Sequence, residues 1–128
     1  MKKGFRIALI VWTILMLTLS SLPDMQAPEL FPKYSDKIVH FIEFLIWGML
    51  FMMMLKQEDR IGNVWGALLF VLIFGSILGI VEEFHQMFVS GRSADIRDLA
   101  ADIGGVLIAS LIFRIFYRKP RYYLPRRS

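Results

Sequence analysis

The sequence predicts an all-α integral membrane protein, a bundle of four transmembrane helices with both termini cytoplasmic. Three observations predict it. Of the 128 residues, 56% are apolar, and the mean hydropathy of +0.55 is too high for a soluble domain. Four apolar stretches, Phe5 to Leu22, Ile38 to Leu55, Val64 to Val81 and Leu99 to Phe116, each approach the roughly 20 residues that cross about 30 Å of hydrocarbon. Basic residues fall mostly on one side of these stretches. Lys2, Lys3, Arg6, Lys56, Arg60, Arg114, Arg118, Lys119, Arg121, Arg126 and Arg127 face Lys33, Lys37, Arg92 and Arg97 across the membrane. The excess marks the cytoplasmic side.

The helices are expected at about residues 5–22, 37–56, 63–88 and 95–117, in a single domain with a basic cytoplasmic tail at 118–128. The first stretch follows Lys2 and Lys3 as a secretory signal would, but it is long and lacks a small-x-small cleavage site, so it reads as a retained anchor and packing helix. Pro23, Pro28 and Pro32 make the following external loop extended. Helix 2 starts near Asp36, a candidate N-cap, and ends in the charged turn Lys56 to Arg60. Gly62, Gly66, Gly75 and Gly79 on helix 3, with Ala101, Gly105 and Ala109 on helix 4, have the small-xxx-small spacing of close membrane packing, which makes helices 3 and 4 the expected tight pair. The tail, with Tyr122 and Tyr123 among its basic residues, suits an anionic leaflet or serves as a plain topology signal.

The net charge of +4 does not indicate nucleic acid, because the basic residues flank apolar spans. The absence of cysteine excludes disulfides, thiol catalysis and thiolate metal sites.

Ionisable side chains in or beside a span are costly, and by default they mark an interior functional or paired site. Asp36, His40, Glu43 and Trp47 form one stripe along helix 2, Asp95, Asp98, Asp102, Gly105 and Ala109 another along helix 4, and Gly75, Gly79, Glu82 and Gln86 a third along helix 3. From the helical rise, Glu43 and Asp102 lie about 10 Å below the starts of their helices, and Glu82 about 9 Å below Phe88. These matching depths place the acids in one wet pocket near the external face. Several members also have plain structural readings. Asp95 and Asp98 stand where acids cap a helix start, Glu83 points about 100° away from Glu82 toward Arg92, Arg97 or head groups, and His85 lies at the water interface. Asp102 and Glu82 cap nothing.

Three chemistries could use the cluster. The carboxylates with His40 could hold a divalent cation, although the spacing gives no metal motif, and no metal or other cofactor is assigned. Lys37, Arg92 and Arg97 could bind a lipid phosphate, with the acids as positioning groups or base. Stacked acids could instead relay protons or an ion.

The segments Asp36-Lys37-Ile38-Val39-His40-Phe41, Glu82-Glu83 with Gln86 and Phe88, and Gly91-Arg92-Ser93 with Asp95, Asp98, Asp102 and Gly104-Gly105 together resemble the VanZ-like family of small bacterial membrane proteins, named for an accessory factor in teicoplanin resistance. Asp102 departs from the resemblance, which leads one to expect asparagine there. The resemblance implies a multi-pass protein of the bacterial plasma membrane that lowers glycopeptide sensitivity without altering the usual peptide target. The leading expectation is a pocket of Asp36, Lys37, His40, Glu82, Gln86, Arg92, Asp95, Asp98 and Asp102 that binds an envelope lipid, a lipid-linked precursor or a glycopeptide-related ligand. The alternatives are an enzyme acting on a lipid-linked phosphate, with Glu82, His40 or Asp102 as the catalytic candidates, and a structural or partner-binding module.

Overall fold

A computed structural model of the chain describes residues 3–23 and 35–117. They form four helices, α1 (Gly4–Ser20), α2 (Ser35–Gln57), α3 (Val64–Gln86) and α4 (Ile96–Phe116), with no strand among the described residues. The expected spans differ from these by a residue or two at each end. The extended loop and the basic tail expected at 24–34 and 118–128 lie outside the described residues. Asp36 does not cap α2, because the helix already begins at Ser35 and leaves Asp36 in the first turn. Asn63 does cap α3, its side chain accepting the Trp65 N–H at 3.1 Å.

Helices α2, α3 and α4 are long and apolar enough to cross a membrane, with mean hydropathies of 2.1, 2.5 and 1.9 over their most apolar windows. Helix α1 has 17 residues, about 26 Å at the helical rise, and falls short of that length. It nevertheless reaches both ends of the bundle. At one end the Phe5 N–H donates to Gln57 Oε1 at 3.2 Å and Arg6 Nε to Glu58 Oε1 at 2.7 Å. At the other, Gln86 Nε2 donates to Ser20 Oγ at 2.9 Å and Ser21 Oγ meets His85 Nε2 at 2.8 Å. These contacts make α1 antiparallel to α2 and parallel to α3. Between them Trp47 Nε1 donates to Thr13 Oγ1 at 3.0 Å and Trp12 Nε1 to the Glu43 carbonyl at 3.0 Å, each indole finding an acceptor where no water would serve.

The distribution of side chains is that of a membrane protein turned outward. Ile7, Ile14, Trp65, Leu69, Ile77 and Phe84 are exposed, while Ser20, His40, Glu82, Gln86, Asp98 and Asp102 are buried. A surface of this kind suits lipid, and polar groups in lipid must find partners inside the protein. One half of the interior is an apolar cluster of Phe44, Trp47, Phe51, Met52 and Leu55 from α2 with Met16, Leu68, Val71, Val106 and Phe113. The other half is polar.

The closest pair is α2 with α4, not the expected α3 with α4. A Cβ on Gly105 would collide with the backbone carbonyl of Phe41 and come within 2.9 Å of the Leu45 nitrogen, and one on Gly48 would lie 3.0 Å from Ala109 Cβ and 3.3 Å from Val106 Cα. The α3 glycines meet side chains instead. Gly75 faces Val106 and Trp47, and Gly79 faces Asp102 and Leu99. The small residues of α4 therefore admit the α2 backbone, and those of α3 make room for bulky or charged groups of α4. α2 and α4 run parallel, as the pairing of their first turns shows below.

This seam predicts opposite outcomes for two glycine substitutions. Gly105→Ala must force α2 and α4 apart and lose about 1–3 kcal/mol. Gly66→Ala, whose Cβ would meet Asn63 only at 3.9 Å, is expected to be neutral or to gain roughly 0.5–1 kcal/mol. Thermal unfolding of the two variants in the same detergent measures the contrast.

Candidate functional site

The polar end is built in two layers. At the rim, Lys37 on the first turn of α2 reaches across to the first turn of α4, donating to Asp95 Oδ2 at 2.9 Å and to Asp98 Oδ1 at 2.7 Å. Asp95 is also the N-cap of α4, accepting the Arg97 N–H at 2.8 Å, while its own N–H donates to Glu83 Oε2 on α3 at 2.7 Å. Four groups from three helices thus close one capping arrangement. The turn before α4 passes through Gly91, whose φ of 79° is open to glycine at little cost. It delivers Arg92, whose Nη2 lies 3.5 Å from Asp36 Oδ1.

Beneath the rim lie His40 of α2, Glu82 of α3 and Asp102 of α4, exposed by 3%, 1% and 0%. His40 Nδ1 and Asp102 Oδ1 are 2.9 Å apart, a bond that ties the polar ends of α2 and α4 and gives the imidazole a partner. Both oxygens of Glu82 and Oδ2 of Asp102 have no hydrogen-bond partner among the described residues. Gly79, one turn below Glu82 on α3, leaves the space that Asp102 fills, since a Cβ there would lie 3.0 Å from Asp102 Oδ2.

A cavity of about 70 Å³ opens beside this layer, lined by Asp36, His40, Glu43, Glu82, Gln86 and Arg92, with Ser20, Leu19 and Val39 at the α1 and α2 edges. Of the sequence-predicted site residues, Asp36, His40, Glu82, Gln86 and Arg92 meet around it. Asp102 lies behind His40. Lys37, Asp95 and Asp98 form the rim arrangement and do not line the cavity, so Arg92 is the cation that faces it. Ser20 was not expected, because α1 read as an anchor; the polar pair Ser20-Ser21 at the end of an apolar run was the available signal. Glu83, expected to face Arg92, Arg97 or head groups, instead accepts the Asp95 N–H at the start of α4.

One ligand atom each from His40, Glu82 and Asp102 lie within 4.8 Å of one another, and the same holds for Asp36, His40 and Asp98. No spacing motif marks the buried set because each of its three residues comes from a different helix.

The matched stripes, the order of the segments and the two-layer polar end are features of the whole chain, and a family model described as VanZ/LLP1 matches residues 5–117. The chain belongs to the VanZ/LLP1 family. Among curated proteins, an uncharacterized protein of the yeast Schizosaccharomyces pombe is similar, 30% identical over 95 residues, which cover 74% of this chain and 56% of the relative. The chain thus spans a little over half the length of that relative. No solved structure matches. In this VanZ/LLP1 protein the family match covers all four helices, so the site lies wholly within the shared region.

The rim makes a pH prediction with a definite sign. The Lys37 ammonium, helped by the Arg97 N–H, holds the Asp95 carboxyl below its ordinary value of 3.8. A depressed folded value means that Asp95 contributes stability above the ordinary carboxylate range and loses it as pH falls through the depressed value. Unfolding temperature should therefore fall on the acid side, below about pH 4. Lys37→Met should shrink Asp95's share of that fall. At neutral pH it should lower the unfolding temperature by several degrees, because buried Asp98 loses its partner. Unfolding curves from pH 3 to 8, in roughly unit steps, report both.

Proposed function

We propose that this protein is a cell-envelope membrane protein, spanning the bilayer with all four helices and both termini in the cytoplasm, whose outward-facing polar cavity binds the head group of an envelope lipid. The orientation is supported by the end of the bundle opposite the cavity, which carries Arg6, Lys56, Arg60 and Arg114, as the positive-inside rule requires of a cytoplasmic face.

The observation that carries the reading is the character of the cavity at its edges. Most of its lining is charged or polar, but it also includes Leu19 and Val39, which are 46% and 49% exposed. A polar cavity bordered by side chains that suit lipid fits an amphipathic ligand. Its size excludes a whole glycopeptide and accepts a single small moiety of a head group. A separate apolar groove of about 420 Å³ runs along α1 and α3, lined by Ile10, Thr13, Ile14, Phe74, Ile77 and Val81 among others. Val81 precedes Glu82 of the cavity, so a head group in the cavity and an alkyl chain in the groove can belong to one molecule. Arg92 supplies the contact to a phosphate, and Gln86 and Asp36 supply polar neighbours. Teicoplanin tolerance, which the family resemblance implies, would then follow from engagement of an envelope lipid rather than of the drug.

One observation favours a second reading, an enzyme acting on a lipid-linked phosphate. The carboxylate of Asp102 orients the His40 imidazole, as an acid–base catalyst requires. Release of phosphate from a polyprenyl phosphate by the purified protein, lost in His40→Gln, would select this reading.

The lipid reading predicts that protein purified in mild detergent retains one phospholipid or lipid-linked phosphate by native mass spectrometry. Removing a charge-assisted contact in Arg92→Ala should weaken retention by about 10–100-fold, while Arg97→Ala, at an exposed position, should leave it unchanged. In a bacterial host at equal expression, any teicoplanin tolerance conferred by the wild type should fall in Arg92→Ala and Glu82→Gln. Undiminished lipid retention in Arg92→Ala contradicts the reading.

A further inference from the structure

We propose that His40, Glu82 and Asp102 bind one divalent transition cation, of the Zn²⁺ or Mn²⁺ class, at the base of the polar cavity. Their three ligand atoms already lie within 4.8 Å of one another, and the His40–Asp102 contact of 2.9 Å holds two of them together. Bonds of about 2.0–2.2 Å to a central ion need the remaining atoms to draw inward from that spacing.

The unpaired oxygens distinguish this cluster from an ordinary group of acids. Glu82 is 1% exposed and Asp102 0%, yet both Glu82 oxygens and Asp102 Oδ2 lack a donor among the described residues. A buried polar group left without a partner costs about 1–3 kcal/mol, and more when charged. Lys37 is committed to Asp95 and Asp98, and Arg92, which faces the cavity, hydrogen-bonds neither Glu82 nor Asp102 Oδ2. A divalent ion would supply the missing charge to both carboxylates at once. The second cluster, Asp36, His40 and Asp98, lacks this feature, because Asp98 is satisfied by Lys37 and Asp36 is exposed.

The donor set selects the class of ion. One imidazole and two carboxylates, with no thiolate in the chain, suit Zn²⁺ or Mn²⁺, whereas Ca²⁺ and Mg²⁺ favour all-oxygen shells and Cu⁺ favours sulfur. The adjoining cavity of about 70 Å³ exceeds the roughly 30 Å³ of one water in the liquid, so it leaves room for a solvent or ligand oxygen to complete the shell. A cation there would also neutralise the base of an acidic pocket, so that a phosphate oxygen could take its open coordination position while Arg92 holds the remaining charge. That last link rests on the lipid reading above; the ion site itself does not.

The test uses full-length, tag-free protein in detergent, stripped of metal by chelator and of lipid, and titrated with Mn²⁺ while the free-ion paramagnetic resonance signal is followed. The expected result is one Mn²⁺ per chain, displaced by Zn²⁺. Affinity should be weakened at least about tenfold in Glu82→Gln and in His40→Gln and unchanged in Glu58→Gln at the opposite end. Glu82→Gln keeps the test decisive should His40→Gln fail to fold, because the amide is nearly isosteric and can still accept from the nearby Ser20 hydroxyl. Folded wild type that binds neither ion stoichiometrically, or folded Glu82→Gln that binds as wild type does, overturns the site. Lipid retention measured in parallel separates the two readings. Ion binding without lipid supports the site and overturns the lipid reading, and lipid retained without ion binding does the reverse.

Discussion

The bond between His40 and Asp102 is the constraint on which the rest of the polar end depends. An acid and an imidazole placed well inside an apolar bundle must meet, since lipid offers neither of them a partner. They belong to α2 and α4, so their meeting fixes the register and separation of those two helices. The backbones can approach that closely only because Gly105 and Gly48 carry no side chain at the seam. Gly79 on α3 then leaves the hollow that Asp102 occupies. Three glycines and one hydrogen bond thus account for the position of three helices.

The two layers of the site differ in how their charges are satisfied. The rim is closed: Lys37 joins α2 to α4, and Glu83 joins α3 to the α4 amide, so the charges there are satisfied by one another. The layer beneath is open, with Glu82 facing a cavity and, among the described residues, no donor in close hydrogen-bonding geometry. A closed rim holds the helices at the spacing that keeps the lower layer unsatisfied. Such local cost, compensated by surrounding packing, is where proteins place binding groups. The fourth helix completes the enclosure. Ser20 of α1 accepts from Gln86 and walls the cavity on one side, while Leu19 beside it faces the lipid.

Hydropathy and periodicity made the helices and their polar faces legible, because both depend on each helix alone. The stripes through His40, Glu82 and Asp102 are visible as stripes, and of the three acids whose matching depths predict one pocket, Glu43 and Glu82 line the cavity while Asp102 lies behind His40. Partnership between faces was not legible. The glycines of α3 and α4 suggested that those helices touch most closely, but small residues show only that something comes near; here it is the α2 backbone at Gly105 and the Asp102 side chain at Gly79. Lys37 and Arg92 looked equivalent as rim cations, and only the structure separates a lysine held by two carboxylates from an arginine left facing the cavity. The ligand set was hidden for the same reason, since spacing motifs record ligands on one helix and this set takes one from each of three.

Both the lipid and the cation proposals require that the lower layer is kept for a ligand rather than for the fold. The most direct test is the unfolding temperature of Glu82→Gln in detergent with chelator and without added lipid. If the carboxylate serves a ligand, neutralising it removes an unpaired buried charge, and the variant should be at least as stable as the wild type. A clear loss of stability under those conditions would show that Glu82 locks the helices together and would contradict the claim.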